Sequence, residues 1–295
     1  MIILVTGSNG LLGQKIVKQL VKSKTEFVAT SLGENRNSAC PTANYQSLDI
    51  TNSQEIQSIF ELAKPTVVLN TAAMTNVDAC EADEVNCRII NVEGVDLLFQ
   101  AAKKRNAHFI HLSTDFVFDG EAGPYIETDQ RNPLSIYARS KVDSENLLIN
   151  SEYKNWAILR TIIVFGEGEN LSRSNIVLWA KSALKEGKTL TIVNDQFRAP
   201  TWADDLAWAC IQTAVLNAQG IFHISGPETF SIYDLVIRIG KFYGLSTDMI
   251  QPISSATLSQ KAKRPPKTGF IIDKAKASLG YNPISIEESL ALLNN

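Results

Sequence analysis

Histidine, methionine and cysteine are scarce in this chain of 295 residues, with three, three and four copies. The cysteines, Cys40, Cys80, Cys87 and Cys210, make no Cys-x-x-Cys pair. The histidines, His108, His111 and His223, stand in apolar strand-like runs and not at ligand spacing. No metal site is therefore expected, and the thiols are expected to stay reduced, as in the cytoplasm. An excess of one charge is lacking too. The 28 Lys+Arg oppose 31 Asp+Glu, and a net charge of -3 offers no footprint for nucleic acid or an anionic membrane. No apolar run is long enough to span a bilayer, and no basic region precedes the first strand. Neither a membrane span nor a secretory leader is expected. The remaining composition, 44% hydrophobic and 20% charged, is that of a soluble globular protein with one large domain or two.

What is present begins at the first residues. Ile2–Val5 is a wholly apolar run, as in a parallel strand buried on both faces. It leads into Thr6-Gly7-Ser8-Asn9-Gly10-Leu11-Leu12-Gly13 and then an amphipathic helix. Strand, glycine turn and helix in that order make a phosphate cradle, with backbone N–H groups of the helix N-terminus facing a pyrophosphate. Gly7, Asn9, Gly10, Leu11, Leu12 and Gly13 are thus candidate dinucleotide contacts. The second strand, Glu26–Thr30, ends in Ser31, with Arg36 close behind. A hydroxyl and a guanidinium suit a ribose 2′-phosphate and favour NADPH; Glu34 keeps NADH open as the alternative. Tyr45–Asp49 reads as a third strand that brings Asp49 and Ile50 to an adenine edge.

Val67–Asn70 is a fourth buried strand, followed by Ala72, Ala73 and Met74. Small residues there suit a close cofactor approach or plain strand–helix packing. A long helix is expected from about Glu84 to Arg105, carrying Asn91 and a mid-helix Gly94. That glycine costs up to about 1 kcal/mol, which suggests a need for close approach there. His108–Ser113 is the fifth strand. Alternating strands and helices predict an α/β fold, a Rossmann-type doubly wound parallel sheet with ligands beyond its carboxyl edge. At that edge stands Thr114. Tyr137 and Lys141 follow on one helix face, four residues apart. An ammonium beside a phenol lowers its pKa, and a tyrosine so tuned exchanges a proton with a carbonyl or alcohol oxygen. Thr114 would bond that oxygen, and Lys141 would also bind a nicotinamide ribose.

Thr6-Gly-x-x-Gly-x-x-Gly13, Asn70-x-Ala-Ala73, Asn91-Val-x-Gly94, Thr114 and Tyr137-x-x-x-Lys141 resemble the signature of the extended short-chain dehydrogenase/reductases. Within that superfamily, residues 70–78, 113–120, 159–161, 164–166 and 195–201 look most like dTDP-4-dehydrorhamnose reductases. Gly226-Pro227, residues 231–234 and Arg264-Pro265 belong to the same pattern. The resemblance implies NADPH-dependent reduction of the 4-keto group of a dTDP-6-deoxyhexulose to dTDP-L-rhamnose. It implies a small-molecule nucleotide-sugar substrate held through Asp115, Gln196, Arg198, Thr201 and Arg264. A homodimer is compatible with it. The chain departs from the pattern at Met74 (usually tyrosine), Ala138 (glycine), Ile163 (an aromatic) and Arg198 (glycine). Arg198 is read as an anion contact, with a surface salt bridge as the plain alternative. Alternative functions are a sugar-nucleotide epimerase or dehydratase on the same scaffold, and a non-catalytic NADP-binding regulatory subunit like that of methionine adenosyltransferase. No glutamate follows Asp115, which counts against the dehydratase, and an intact Thr114, Tyr137 and Lys141 counts against the regulatory subunit.

In the second half, a sixth strand is expected at Ile158–Val164, and the sheet is rejoined at Ile221–Ser225. The expected division is a dinucleotide-binding domain from 1–165 plus 199–225. A smaller discontinuous α/β substrate domain takes 166–198 plus 226–295. Lys261, Lys263, Arg264 and Lys267 form a basic run beside Pro265-Pro266 that is either a solvated loop or a loop near the substrate diphosphate.

Overall fold

The computed structural model describes residues 1–258 and 261–293; positions 259–260 and 294–295 of the expected substrate domain lie outside the described residues. Seven parallel strands form the central sheet. They are β1 Ile2–Thr6, β2 Glu26–Ser31, β3 Tyr45–Ser47, β4 Val67–Asn70, β5 His108–Thr114, β6 Trp156–Thr161 and, much later, Gly220–Ile224. Short pairs intervene: β7 Val164–Phe165, β8 Leu190–Val193, β9 Phe197–Arg198 and β10 Thr201–Trp202. The last sheet strand is therefore β11, and β12 Phe230–Ser231 and β13 Ile250–Ile253 follow it. The sheet order is β11-β6-β5-β4-β1-β2-β3, every neighbouring pair parallel. The order reverses between β1 and β4, which places a ligand crevice beyond their carboxyl ends.

Helices cover both faces. On one side α1 (Leu11–Ser23) buries Ile16, Val17 and Leu20 with the sheet and with α8 (Ala203–Val215). Each such fully buried aliphatic side chain contributes about 1.5–3 kcal/mol. On the other side α2 (Ser53–Ala63) and α5 (Gly94–Lys104) pack Ile56, Phe60, Leu98 and Phe99 under Leu4, Val68 and Phe109. Asn52 starts α2 by accepting from the N–H groups of Gln54 and Glu55. A third core joins α7 (Ile176–Lys185), α9 (Ile232–Phe242) and α11 (Ile286–Leu292) through Leu184, Leu235, Ile239 and Leu290. Residues from segments on either side of β11 build it. One stretch differs: Phe270, Ile272, Ala275 and Leu279, the last two in α10 (Asp273–Leu279), pack into the sheet core instead. Among the described residues no helix is long and apolar enough to cross a membrane.

Local differences from the expected elements have identifiable causes. The strand at Tyr45 ends at Ser47, because Asp49 turns back and its Oδ1 accepts from Thr51 N–H at 2.9 Å and Thr51 Oγ1 at 2.7 Å. The expected helix from Glu84 is α4 (Glu84–Arg88), one π-helical stretch at Ile89–Glu93, and then α5. A short α3 (Val77–Ala82), capped by Asn76, precedes it. Gly94 faces Ile50: an added Cβ would lie 3.1 Å from the Ile50 carbonyl oxygen. Protein packing, and not a ligand, explains that glycine. The sixth strand stops at Thr161 because Ile163 turns the chain at φ 34°, a strained value for a β-branched residue. Thr201 holds the turn, its N–H and Oγ1 both donating to the Ile162 carbonyl.

Candidate active site

One cleft of about 580 Å³ runs along the carboxyl edge of the sheet. Its first half is the glycine turn. Gly7 adopts φ 70° and lies so close to Ala72 that an added Cβ would come within 2.7 Å of the Ala72 nitrogen. Gly13 meets the Gly7 carbonyl, where a Cβ would stand 2.3 Å away. Gly10 caps α1 without a side-chain bond, and the first turn of α1 holds no acid. The free N–H groups and positive end of α1 therefore face the cleft undiminished, an arrangement that suits a pyrophosphate. Gly7, Asn9, Gly10, Leu11, Leu12 and Gly13 all line it, as does Arg36. Asn9 sets the Arg36 loop: its Nδ2 donates to the Glu34 carbonyl at 2.8 Å, and Arg36 N–H donates to its Oδ1 at 2.8 Å. These residues fit a dinucleotide with a phosphate near Arg36.

The other half holds the three groups expected to handle the proton. Thr114 ends β5, and Tyr137 and Lys141 line the opposite wall from α6 (Ile136–Ile149), whose cap Ser135 accepts from Ala138 N–H. Burial pushes the Tyr137 phenol well above its ordinary value. The neighbouring Thr114 hydroxyl offsets this in part, and Asp115 adds to it. Burial outweighs the expected lowering by Lys141, whose ammonium has a neighbour on β5. Lys141 Nζ lies 3.2 Å from His111 Nε2, and burial brings the lysine down to about 8. Thr114 Oγ1 donates to Asp115 Oδ1 at 3.1 Å and accepts from Phe116 N–H. Asp115 is buried, lines the cleft, accepts from Thr268 Oγ1, and has Arg198 Nε 3.6 Å away.

Several expected contacts sit elsewhere among the described residues. Asp49 serves its own turn and Ile50 is core. Ser31 ends β2 beside Ser47 and is not part of the cleft wall. Ala73 lines the cleft, while Ala72 packs against Gly7. Asn91, fully buried in the π-helical stretch, grips Met74 instead of a ligand: Met74 N–H donates to its Oδ1 at 2.8 Å, and its Nδ2 donates to the Met74 carbonyl at 3.0 Å. Gln196 and Thr201 are buried backbone supports. Arg198 is 2% exposed, its guanidinium donating to the carbonyls of Phe197, Pro265 and Pro266. Arg264 pairs with Asp78 at 2.7 Å. Neither arginine lines the cleft. Arg173, not foreseen, does: it lines the cleft and its Nη2 donates to Thr75 Oγ1 at 2.6 Å. Its place just beyond β6 and β7, where such sheets bind ligands, is the signal that could have found it.

The RmlD substrate binding domain family matches residues 1–294. The chain belongs to that family. Among its relatives, a dTDP-4-dehydrorhamnose reductase of Burkholderia thailandensis is 38% identical over 94% of this chain and 93% of its own length. One of Aggregatibacter actinomycetemcomitans is 33% identical over 98% and 96%. The crystal structure of a dTDP-4-dehydrorhamnose reductase from Clostridium acetobutylicum is 33% identical and superposes with a TM-score of 0.85, covering 98% of this chain and 97% of its own. The RmlD family resemblance thus spans both the sheet and the second, helical core.

Proposed function

We propose that this protein reduces the 4-keto group of a dTDP-6-deoxyhexulose with NADPH, giving dTDP-L-rhamnose. The observation that carries the reading is the meeting of Thr114, Tyr137 and Lys141 at one end of a cleft whose other end is the glycine cradle and Arg36. NADPH, when bound, supplies the hydride. The cradle would hold its pyrophosphate, Arg36 its 2′-phosphate and Lys141 its nicotinamide ribose. Thr114 orients the C4 oxygen, and Tyr137 gives that oxygen its proton, which leaves an alcohol and a phenolate. The raised phenol pKa keeps Tyr137 protonated until negative charge develops beside it. Arg173 is the cation placed for the substrate diphosphate, and Asp115 holds Thr114 in place. A cytoplasmic location agrees with four buried, unpaired thiols. Light scattering at working concentration would decide whether the protein acts as a homodimer.

The test is NADPH oxidation with freshly generated dTDP-4-keto-6-deoxy-L-mannose, wild type beside Tyr137→Phe. The reading expects turnover in the wild type and a loss of roughly 10²–10⁴-fold in the variant. Absence of wild-type turnover while NADPH still binds would remove the rhamnose assignment.

A further inference from the structure

Behind the cleft, Lys141 belongs to a chain of buried polar groups that the reaction itself does not use. Thr6 Oγ1 and Asn70 Oδ1 are 2.6 Å apart, Asn70 Nδ2 and His111 Nδ1 3.1 Å, and His111 Nε2 and Lys141 Nζ 3.2 Å. Ser144 Oγ lies 3.0 Å from the same His111 Nε2 and donates to the Lys141 carbonyl at 2.8 Å. Thr6, Asn70, His111, Lys141 and Ser144 are all at most 2% exposed. Thr6, Asn70, His111 and Ser144 do not line the cleft, so they must find their partners within the protein, whereas Lys141 also reaches the cleft wall.

That requirement couples three proton positions. His111 is kept neutral by burial and by the charge of Lys141, so one ring nitrogen donates and the other accepts. A charged Lys141 has only donors, so Nε2 must accept and Nδ1 must carry the hydrogen. Asn70 must then turn its oxygen to the ring and its amide nitrogen to Thr6. A neutral Lys141 permits the reverse, with Nε2–H donating to Ser144 Oγ, Asn70 Nδ2 donating to Nδ1, and Thr6 donating to Asn70 Oδ1. Which way the amide points is a question of hydrogen-bond bookkeeping. We propose that His111 is a positioning residue whose tautomer, set through Asn70 and Thr6, changes together with the charge on Lys141 and so decides how readily that lysine holds its proton. The ionisable groups that act on Lys141 are Glu145 on α6, Cys87 on α4 and His111 on β5, with Tyr137 one turn earlier on its own helix. Of these, Glu145 and Cys87 favour the ammonium. Burial outweighs them and places the lysine at about 8, so both charge states are reached near neutral pH.

The role given to Lys141 rests on the reductase reading, so the first measurement needs no turnover. Imidazole nitrogen shifts of ¹⁵N-histidine-labelled protein are followed across the neutral and alkaline range. His111 is expected to change tautomer with a midpoint near that of Lys141, and Lys141→Met is expected to abolish the midpoint. A single tautomer throughout, or a midpoint unaltered by Lys141→Met, overturns the proposal. The second measurement is the pH profile of kcat/KM for His111→Gln, whose amide oxygen accepts from the ammonium without a tautomer to change. Its alkaline limb is expected to move up by about one pH unit. A folded His111→Gln enzyme with the wild-type profile would show a merely structural histidine and overturn the proposal as well.

Discussion

Glu145 and Arg160 are joined as a two-pronged fork, Arg160 Nε to Oε1 and Nη2 to Oε2, each at 2.8 Å, with neither side chain more than 1% exposed. Arg131 adds a third contact at 3.0 Å from the rim. Glu145 stands one turn beyond Lys141, so the fork fixes the helix that carries Tyr137 and Lys141 to β6. Burial works to raise the Glu145 carboxyl, but the Arg160 bonds and charge outweigh it and hold the group below its usual range.

Removal of one partner of such a pair leaves the other charge buried and uncompensated. Glu145→Ala is expected to lose about 3–5 kcal/mol, read from chemical denaturation at neutral pH. Because the folded carboxyl pKa is depressed, its stabilising contribution is complete above about pH 4.5 and disappears as pH falls through the folded value. The gap between wild type and Glu145→Gln should therefore narrow on acidification. A variant with the wild-type midpoint at neutral pH would contradict the fork's importance.

Lys141 is also held below its ordinary value, but for a base this depression costs stability at neutral pH. Its folded value of about 8 lies below the ordinary 10.5, so folding below pH 8 holds a buried ammonium at a cost. That difference corresponds to about 3 kcal/mol. Lys141→Met is expected to stabilise the protein in thermal unfolding at neutral pH. The advantage should shrink as pH rises from 8 towards 10.5, where the wild type folds with a neutral amine. An equal or lower melting temperature for the variant at pH 7 would refute this account.

What was legible in the sequence is what one element holds by itself. The glycine turn, the Tyr137–Lys141 spacing and the apolar parallel strands are local patterns, and each stands where it was expected. Partnerships across the sheet were not legible. His111 is 30 residues from Lys141 and meets it only because β5 lies beneath α6. Arg198 carries the right charge for a diphosphate, but the backbone at Pro265 and Pro266 consumes its donors from 67 and 68 residues away. Gly94 hinted at a close neighbour, and only the packing of α5 on Ile50 identifies it.

Arg36 is exposed, lines the cradle end of the cleft, and is aimed by Asn9 through its backbone. A charge-assisted bond contributes about 1.5–3 kcal/mol, so Arg36→Ala should raise KM for NADPH roughly 10–100-fold and leave NADH almost unaffected. Steady-state comparison of the two cofactors decides it. An equal rise for both would place the 2′-phosphate elsewhere.

Arg173 offers the sharpest choice among the three arginines considered for the diphosphate. It lines the cleft on the same side as Thr75, whereas Arg198 is spent on backbone carbonyls and Arg264 on Asp78. Arg173→Ala should raise KM for the nucleotide sugar roughly 10–100-fold, the loss of one charge-assisted contact. If the contact is made equally in the bound and transition states, kcat stays unchanged. Arg198→Lys should instead act through stability, because a lysine cannot reproduce three donations to the carbonyls of Phe197, Pro265 and Pro266. Kinetics and thermal unfolding of the two variants separate the roles. A substrate KM altered by Arg198→Lys without loss of stability, and not by Arg173→Ala, would return the diphosphate to Arg198.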